Sequence, residues 1–164
     1  MENPATVLHF GLVGIGATMV MDCWAFMLWK FMRISALDYA LVGRWVCHLC
    51  ARKCPVTLIS QAQPFRNERV IGWVVHYATG IMLALIFGQW VGQGWLSAPK
   101  FFDAFAFGGL TVVLPFFLMQ PAFGAGIAAS KTPQPTIMRL KSLNAHFSFG
   151  LGLFITAKIL QQLT

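Results

Sequence analysis

Four long apolar runs dominate the pattern of hydrophobic and polar positions along the chain. A helix needs about 20 consecutive apolar residues to cross the hydrocarbon core of a bilayer. The pattern therefore predicts an all-α membrane protein with four transmembrane helices, which we treat as a single domain over residues 1–164. The four runs cover roughly Val7–Trp29, Val70–Trp90, Phe101–Phe123 and Leu143–Leu163.

Composition supports a lipid environment. The chain is 57% hydrophobic and 10% charged, whereas soluble domains average about 25% charged residues. A soluble domain of 164 residues has too little interior to bury that much apolar surface. The first run carries Asp22 and lacks a basic leader, so we expect a retained helix rather than a secretory signal.

The basic residues predict the orientation of the chain in the membrane. Ten of the 12 Lys and Arg residues fall in the connection between runs one and two or in that between runs three and four. The positive-inside rule places both connections in the cytoplasm and both termini outside it. The net charge of +7 is then explained by the orientation of the chain in the membrane, and the basic residues lie beside anionic lipid. Since no basic stretch is organised with stacking aromatics, we expect no nucleic-acid partner.

Two phrases recur in the chain and predict an internal duplication. His76-Tyr77-Ala78-Thr79-Gly80-Ile81 resembles His146-Phe147-Ser148-Phe149-Gly150-Leu151 near the start of runs two and four. A second phrase, residues 16–22, resembles residues 109–115 in runs one and three. The order of the phrases predicts parallel halves, about 1–95 and 96–164, related by an axis along the membrane normal. Chance similarity of common membrane residues is the alternative.

The first cytoplasmic connection, residues 33–69, predicts an interfacial helix. Ser35 and Asp38 have the spacing of a capping box at a helix start. An apolar stripe on an Arg-rich helix beside a membrane is typical of a helix that lies in the interface. Pro55 is expected to end this helix. The stripe consists of Leu37, Leu41, Trp45 and Leu49.

The second cytoplasmic connection, residues 124–142, is expected to begin as a continuation of run three. Residues 125–129 are small and apolar and could extend that helix. Pro115 and Pro121 interrupt run three, and each removes a backbone donor. Such breaks either line a cavity or form a kink that packing absorbs.

Three titratable groups from three predicted helices share one depth. With a rise of 1.5 Å per residue, Asp22, His76 and His146 lie roughly 10, 9 and 5 Å inside the cytoplasmic ends of their spans. An unpaired carboxylate at that depth is strongly disfavoured, so Asp22 should be paired or protonated. Three interpretations are open: a site that exchanges protons or ions, ligation of a metal or haem by histidine, and structural hydrogen bonds between helices.

A cluster of thiols follows in the first cytoplasmic connection. Cys47, His48, Cys50 and Cys54 have a spacing that could bind zinc. The C-x-x-C pattern also suggests thiol redox chemistry, but the predicted location is the reducing cytoplasm. Ordinary reduced thiols are the remaining alternative.

An ordered set of short motifs resembles a bacterial membrane family catalogued as domain of unknown function 2938. The resemblance covers nearly the whole chain and implies a small multi-pass protein of the bacterial inner membrane, without implying a reaction. The cysteine cluster departs from the family pattern, which His48 fits. The motifs are Val20-Met21-Asp22-Cys23-Trp24, residues 38–45, residues 76–81, Met119-Gln120-Pro121, residues 126–133, and residues 139–146.

The family motifs supply the candidate binding residues, which fall largely in the predicted cytoplasmic half. Arg44 and Arg139 could hold an anionic headgroup or phosphate, or they could simply be positive-inside charges. The candidates are Asp22, Tyr39, Arg44, His76, Gln120, Arg139 and His146.

We therefore expect a non-enzymatic membrane protein that handles a small solute, an ion or a lipid headgroup, or that serves as an accessory subunit. Four helices make a thin wall around any pathway, so a homo-oligomer or a larger membrane complex is expected. One alternative is a redox subunit that binds haem or quinone through His76 and His146. Another is a lipid-modifying membrane enzyme with Asp22 and the histidines as acid and base.

Overall fold

The computed structural model describes residues 4–52 and 58–163. The described residues form helices and turns and contain no strand. A π-helical segment, Pro115–Met119, and two 3₁₀ turns, Ile59–Gln61 and Ile127–Ala129, accompany the α-helices. The α-helices are α1 (Pro4–Met32), α2 (Tyr39–Cys50), α3 (Glu68–Val91), α4 (Gly94–Ser97), α5 (Phe101–Leu110), α6 (Gln120–Ala122) and α7 (Pro135–Leu163).

Four helical segments are long and apolar enough to cross a membrane, which confirms the predicted all-α membrane fold. They are Pro4–Met32, Glu68–Val91, Phe101–Ala122 and Pro135–Leu163. The orientation of the termini stays a prediction. Helix α7 begins eight residues before the predicted span, at Pro135. Proline suits the first position of a helix because its missing N–H would have no partner inside the helix.

The chain divides into two compact units. The first unit comprises residues 1–36, 77–111 and 143–164, and the second comprises residues 37–76 and 112–142. Each unit draws on both halves of the predicted duplication, which stays a prediction.

The first unit packs helices closely through small residues. A Cβ atom on Gly14 would lie 2.8 Å from the carbonyl oxygen of Gly80, and one on Gly152 would lie 2.7 Å from Ala17 Cα. Such positions let helix backbones approach one another, which favours dispersion contacts and interhelical hydrogen bonds in lipid. Phe10 and Phe87 are completely buried, and Trp95 stacks on Phe10 with ring centroids 6.5 Å apart.

The second unit is organised around α2. Asp38 caps this helix by accepting a hydrogen bond from the backbone N–H of Ala40 at 3.0 Å. The helix therefore starts after Asp38, and the predicted capping box with Ser35 as the first cap is wrong. Both residue types suit a cap, and Asp38 is the one that binds the free N–H of Ala40. The helix ends at Cys50, so the predicted end at Pro55, which lies outside the described residues, is also wrong.

Only part of the predicted apolar stripe packs. Leu41 and Trp45 contact the core of the second unit, which contains Val42, Ile59 and Phe123. Leu37 lies before the helix and is exposed, and Leu49 is also exposed. The buried residues of α2 are Ala40, Val42, Gly43 and His48, so its packed face differs from the predicted stripe.

Helices α2 and α3 cross at two glycines within the second unit. A Cβ atom on Gly43 would overlap the carbonyl of Glu68, and one on Gly72 would overlap the carbonyl of Tyr39. Only glycine lets the two backbones come this close. The crossing therefore fixes where α2 meets the start of α3.

The third span is broken where its prolines predict a break. Helix α5 ends at Leu110, and the chain continues as a π-helical segment from Pro115 to Met119. Pro115 has no N–H to donate, and the N–H of Gln120 reaches back five residues to its carbonyl. The predicted helical continuation over residues 125–129 is wrong, because left-handed residues interrupt the backbone there.

Replacing Gly43 by Ala should destabilise the protein, because the added methyl group must displace the backbone of α3. Overpacking of a close contact costs about 1–3 kcal/mol. Thermal unfolding in detergent measures the effect, with Gly11→Ala as the matched control. Gly11 also lies in a helix, but a methyl group there meets nothing within 4 Å. Equal melting temperatures for the two variants would contradict the proposed role of this crossing.

Candidate functional site

Asp22 is held by a tyrosine from the neighbouring helix. The Tyr77 hydroxyl donates a hydrogen bond to Asp22 Oδ2 at 3.0 Å, and both side chains are half-buried in the first unit. The sequence predicted that Asp22 needs a partner in the membrane, but not that Tyr77 is one. Tyr77 belongs to the repeated phrase and directly follows His76. This position was the sequence feature that could have indicated Tyr77 as a partner of Asp22.

The hydroxyl of Thr111 determines which nitrogen of His146 carries a proton. It lies 2.7 Å from His146 Nδ1 and 2.6 Å from the carbonyl oxygen of Gly108. A carbonyl oxygen only accepts, so the single hydroxyl proton of Thr111 is donated to Gly108. The hydroxyl oxygen then accepts from His146, whose Nδ1 must carry a hydrogen. In the neutral ring, Nε2 is therefore the basic nitrogen.

A third polar contact joins α1 to α7 in the first unit. Trp24 Nε1 donates to Asn144 Oδ1 at 2.6 Å. Farther along the same two helices, Gly152 packs on Ala17. The two contacts show that the helices run antiparallel, and interpolation between them places Asp22 level with about residue 146.

Asp22 and His146 therefore lie at one level of the first unit. Three interhelical hydrogen bonds occur there, and we call these six side chains the polar layer. Tyr77, Thr111 and Asn144 were missed as partners by the sequence analysis. The pairs are Asp22–Tyr77, Thr111–His146 and Trp24–Asn144.

His76 lies in the second unit within an aromatic cluster. Its ring stacks on Tyr39, with centroids 4.2 Å apart and an interplanar angle of 27°. Trp73 contacts His76 edge-on at 5.7 Å and Tyr39 at 4.6 Å. Two predicted binding residues, Tyr39 and His76, are thus in direct contact, and the stack restricts the orientation of the imidazole.

Arg44 binds within its own unit. Its Nε and Nη2 donate to the two carboxylate oxygens of Glu68 at 2.9 and 2.7 Å. Its Nη1 donates to the carbonyls of Ile59, Ser60 and Ala62. The bond to Glu68 raises the pKa of the Arg44 guanidinium above its usual value. All three nitrogens have acceptors, so Arg44 joins α2, the 3₁₀ turn and the start of α3.

Within the described part of the second unit, the side chains of Gln120 and Arg139 each donate one hydrogen bond. Gln120 is buried and donates to Ser142 Oγ at 3.0 Å, while its Oε1 has no hydrogen-bond partner among the described residues. Arg139 is exposed and donates from Nε to the carbonyl of Ala128 at 2.8 Å. Whether any of the predicted binding residues contacts a ligand stays a prediction.

The described cysteines do not assemble a metal centre. No group of three His, Cys, Asp or Glu side chains within residues 4–52 and 58–163 has metal-binding geometry. His48 is buried and donates from Nε2 to the carbonyl of Gln63 at 3.0 Å, whereas Cys50 is exposed. Cys54, the remaining predicted ligand, lies outside the described residues.

A family model described as a protein of unknown function, DUF2938, matches residues 12–160. This match confirms the resemblance carried by the sequence motifs. No curated protein and no solved structure matches the chain.

The assigned tautomer of His146 is open to direct measurement. We expect ¹⁵N NMR of histidine-labelled protein to show His146 with its proton on Nδ1 when the ring is neutral, because the Thr111 hydroxyl donates to Gly108 and can only accept from the ring. Thr111→Val removes the acceptor and should shift that signal toward the other tautomer. Thr111→Ser keeps the hydroxyl and should preserve it. A neutral His146 with its proton on Nε2 in the wild type would contradict the assignment.

Proposed function

The chain belongs to the DUF2938 family of proteins of unknown function, and from that premise we propose that its polar layer exchanges protons while binding a small ion or polar solute within the membrane. The layer would then be the functional centre of a small multi-pass membrane protein. The proposal rests on one observation: a carboxylate and an imidazole with basic Nε2 stand at the same level of the first unit.

The energetics of the bilayer support this proposal. A carboxylate in a span is costly unless hydrogen bonds and a cation or proton compensate it. The Tyr77 hydroxyl provides a hydrogen bond to Asp22 but no positive charge. A proton, an imidazolium or a bound cation can supply positive charge to a carboxylate in this setting. A group with this requirement is suited to take up and release a cation.

The two residues have complementary chemistry. Nδ1–H of His146 is engaged by Thr111, which fixes the ring and leaves Nε2 as the proton acceptor. Asp22 is oriented by Tyr77 in the same way. A solute with a donor group could bind the carboxylate while its proton passes to the imidazole. Such a site needs neither a covalent intermediate nor a bound cofactor.

The location and assembly of the protein are part of the proposal. The distribution of Lys and Arg favours a polar layer near the cytoplasmic leaflet of a bacterial inner membrane. Four spans surround little space, so we propose that the protein works as a homo-oligomer or as a subunit of a larger membrane complex.

Proton movement into vesicles tests the polar layer. Purified protein is reconstituted with a trapped pH-sensitive dye, and a potential is imposed while Na⁺, K⁺ or NH₄⁺ salts are supplied in turn. We expect wild-type vesicles to change pH faster than empty ones with at least one salt, and Asp22→Asn to return the rate to that of empty vesicles. Tyr77→Phe should lower the rate about tenfold, since a hydrogen bond to a charged group contributes about 1.5–3 kcal/mol.

Asp103→Asn is the matched control, because Asp103 is a second half-buried acid of the first unit that lies outside the polar layer. Its rate should equal that of the wild type. A wild-type rate equal to that of empty vesicles with every salt would contradict proton exchange. So would an Asp22→Asn variant that is as fast as the wild type.

Haem binding is the second candidate function, and the tautomer of His146 favours it. Histidines that ligate metals usually donate from the other ring nitrogen to a protein acceptor, as His146 does to Thr111. Protein purified from cells supplied with a haem precursor should then show a Soret band that His146→Ala reduces. A colourless wild-type preparation would eliminate this function.

A further inference from the structure

A cleft of about 360 Å³ opens beside the broken end of the third span, in the second unit. The polar layer, by contrast, belongs to the first unit. The lining residues are mostly small and include one cation and one hydroxyl. They are Pro121, Gly124, Gly126, Ile127, Ser130 and Lys131.

The backbone around the cleft has an unusual conformation. Gly124 and Gly126 have φ angles of 82° and 75°, and Ala128 and Ala129 have φ angles of 47° and 59°. The left-handed conformation is unfavourable for alanine, because its Cβ comes too close to the following carbonyl oxygen. Strain of this kind persists where surrounding contacts enforce it, and it clusters at ligand-binding loops.

Internal hydrogen bonds hold the strained loop in place. The N–H of Lys131 donates to the carbonyl of Ala125 at 2.9 Å, and the N–H of Ser130 donates to that of Ile127 at 3.0 Å. Arg139 Nε donates to the carbonyl of Ala128. The shape of the cleft is therefore built by the protein itself, with Arg139 as a positioning residue.

Backbone donors are left over in this loop. Within the described residues, the N–H groups of Gly126, Ile127 and Ala128 make no backbone hydrogen bond, although their neighbours on both sides do. Consecutive N–H groups in a turn that mixes left- and right-handed residues form anion-binding concavities. Gly126 and Ile127 line the cleft, so unpaired donors belong to its wall.

The cleft also carries an uncompensated positive charge. Within the described part of the chain, Glu68 is paired with Arg44, and Lys131 makes no ion pair with a carboxylate. The other acid of the second unit, Asp38, caps α2. The described part of this unit thus contains seven Lys and Arg residues but only two acidic residues. The seven are Arg44, Arg52, Arg66, Arg69, Lys131, Arg139 and Lys141.

We propose that this cleft binds a phosphate group. Lys131 supplies the charge, the Ser130 hydroxyl and the amides of Gly126 and Ile127 supply hydrogen-bond donors, and Gly126 lets the backbone approach the oxygens. Lysine binds phosphate as a compact point charge, and charge-assisted hydrogen bonds to it are about twice as strong as neutral ones. The phosphate can come from a lipid headgroup or from a soluble phosphate compound, and the two sources share this chemistry.

Calorimetric titration of delipidated protein in a maltoside detergent tests the site. The probes are inorganic phosphate, dihexanoyl phosphatidylglycerol, and dihexanoylglycerol, which lacks the phosphate. Ionic strength is held constant with chloride, so that general screening does not contribute. We expect at least one phosphate-bearing probe to bind and dihexanoylglycerol not to bind. Binding by inorganic phosphate indicates a soluble source, and binding by phosphatidylglycerol alone indicates a lipid.

Three variants and one control connect binding to the cleft. Lys131→Gln should weaken binding about tenfold or more, and Lys131→Arg should largely retain it, because the charge is kept. Gly126→Ala should also weaken it, since the new methyl group would lie 2.8 Å from Lys131 Cγ in a backbone conformation that disfavours alanine. Lys100→Gln, a surface lysine of the first unit, should bind like the wild type.

The proposal is overturned if neither phosphate probe binds the wild type, or if dihexanoylglycerol binds as well as phosphatidylglycerol. It is also overturned if Lys131→Gln, with an unchanged circular dichroism spectrum and melting temperature, binds like the wild type. Lys131 is exposed, so this variant should fold even if Gly126→Ala does not.

Discussion

A polar side chain on a membrane-spanning helix must find its hydrogen-bond partner in the protein, because the hydrocarbon core of a bilayer offers none. The first unit satisfies this requirement with pairs that join different helices. Asp22 on α1 is bound by Tyr77 on α3, and His146 on α7 is bound to Thr111. Each pair ties two spans together and also fixes the direction of the ionisable group. The constraint that holds the helices together thus also orients the candidate site.

In the second unit, one side chain, Arg44, binds several hydrogen-bond acceptors at once. The Arg44 guanidinium binds the Glu68 carboxylate and three carbonyls of the chain between α2 and α3. These carbonyls belong to the chain around the 3₁₀ turn, where the N–H of Ala62 also donates to the carbonyl of Ile59. Arginine suits the role because its planar fork reaches several acceptors at once. The glycine crossing at Gly43 brings α2 close enough for this contact.

The sequence predicted those features that depend on length, composition or a single residue type. Four spans follow from apolar runs, and the break in the third follows from Pro115 and Pro121. The Arg44–Glu68 pair could not be predicted, because its partners are 24 residues apart and no periodicity connects them. The helical continuation over residues 125–129 failed for a related reason. Alanine and isoleucine suit a helix locally, but Gly124 and Gly126 and the contact of Arg139 with Ala128 impose another backbone.

The candidate site was predicted in outline, and its partners were not. Asp22 and His146 stand out in the sequence because ionisable residues are rare in spans. Tyr77 and Thr111 are ordinary residues in membrane helices, and only the fold shows that they bind the ionisable pair. Asp22 needed a partner by the physics of burial, but hydroxyl, imidazole and amide groups were all chemically suitable. Selecting among them requires the register of the helices.

The predicted duplication gives the Asp22–Tyr77 pair a further meaning. Aligning the repeated phrases matches Asp22 with Pro115 and Tyr77 with Phe147. The second half thus lacks both the carboxylate and the hydroxyl that binds it. Phe147 stacks on Phe105 instead, with centroids 4.6 Å apart. By contrast, Thr18 and Thr111 both bond to a carbonyl of the preceding turn. At the matched positions the threonine contact occurs twice, whereas acid and phenol occur together only once. Either residue alone would leave a polar group without its partner in lipid. The proposed site on a duplicated scaffold therefore requires that the two residues occur together.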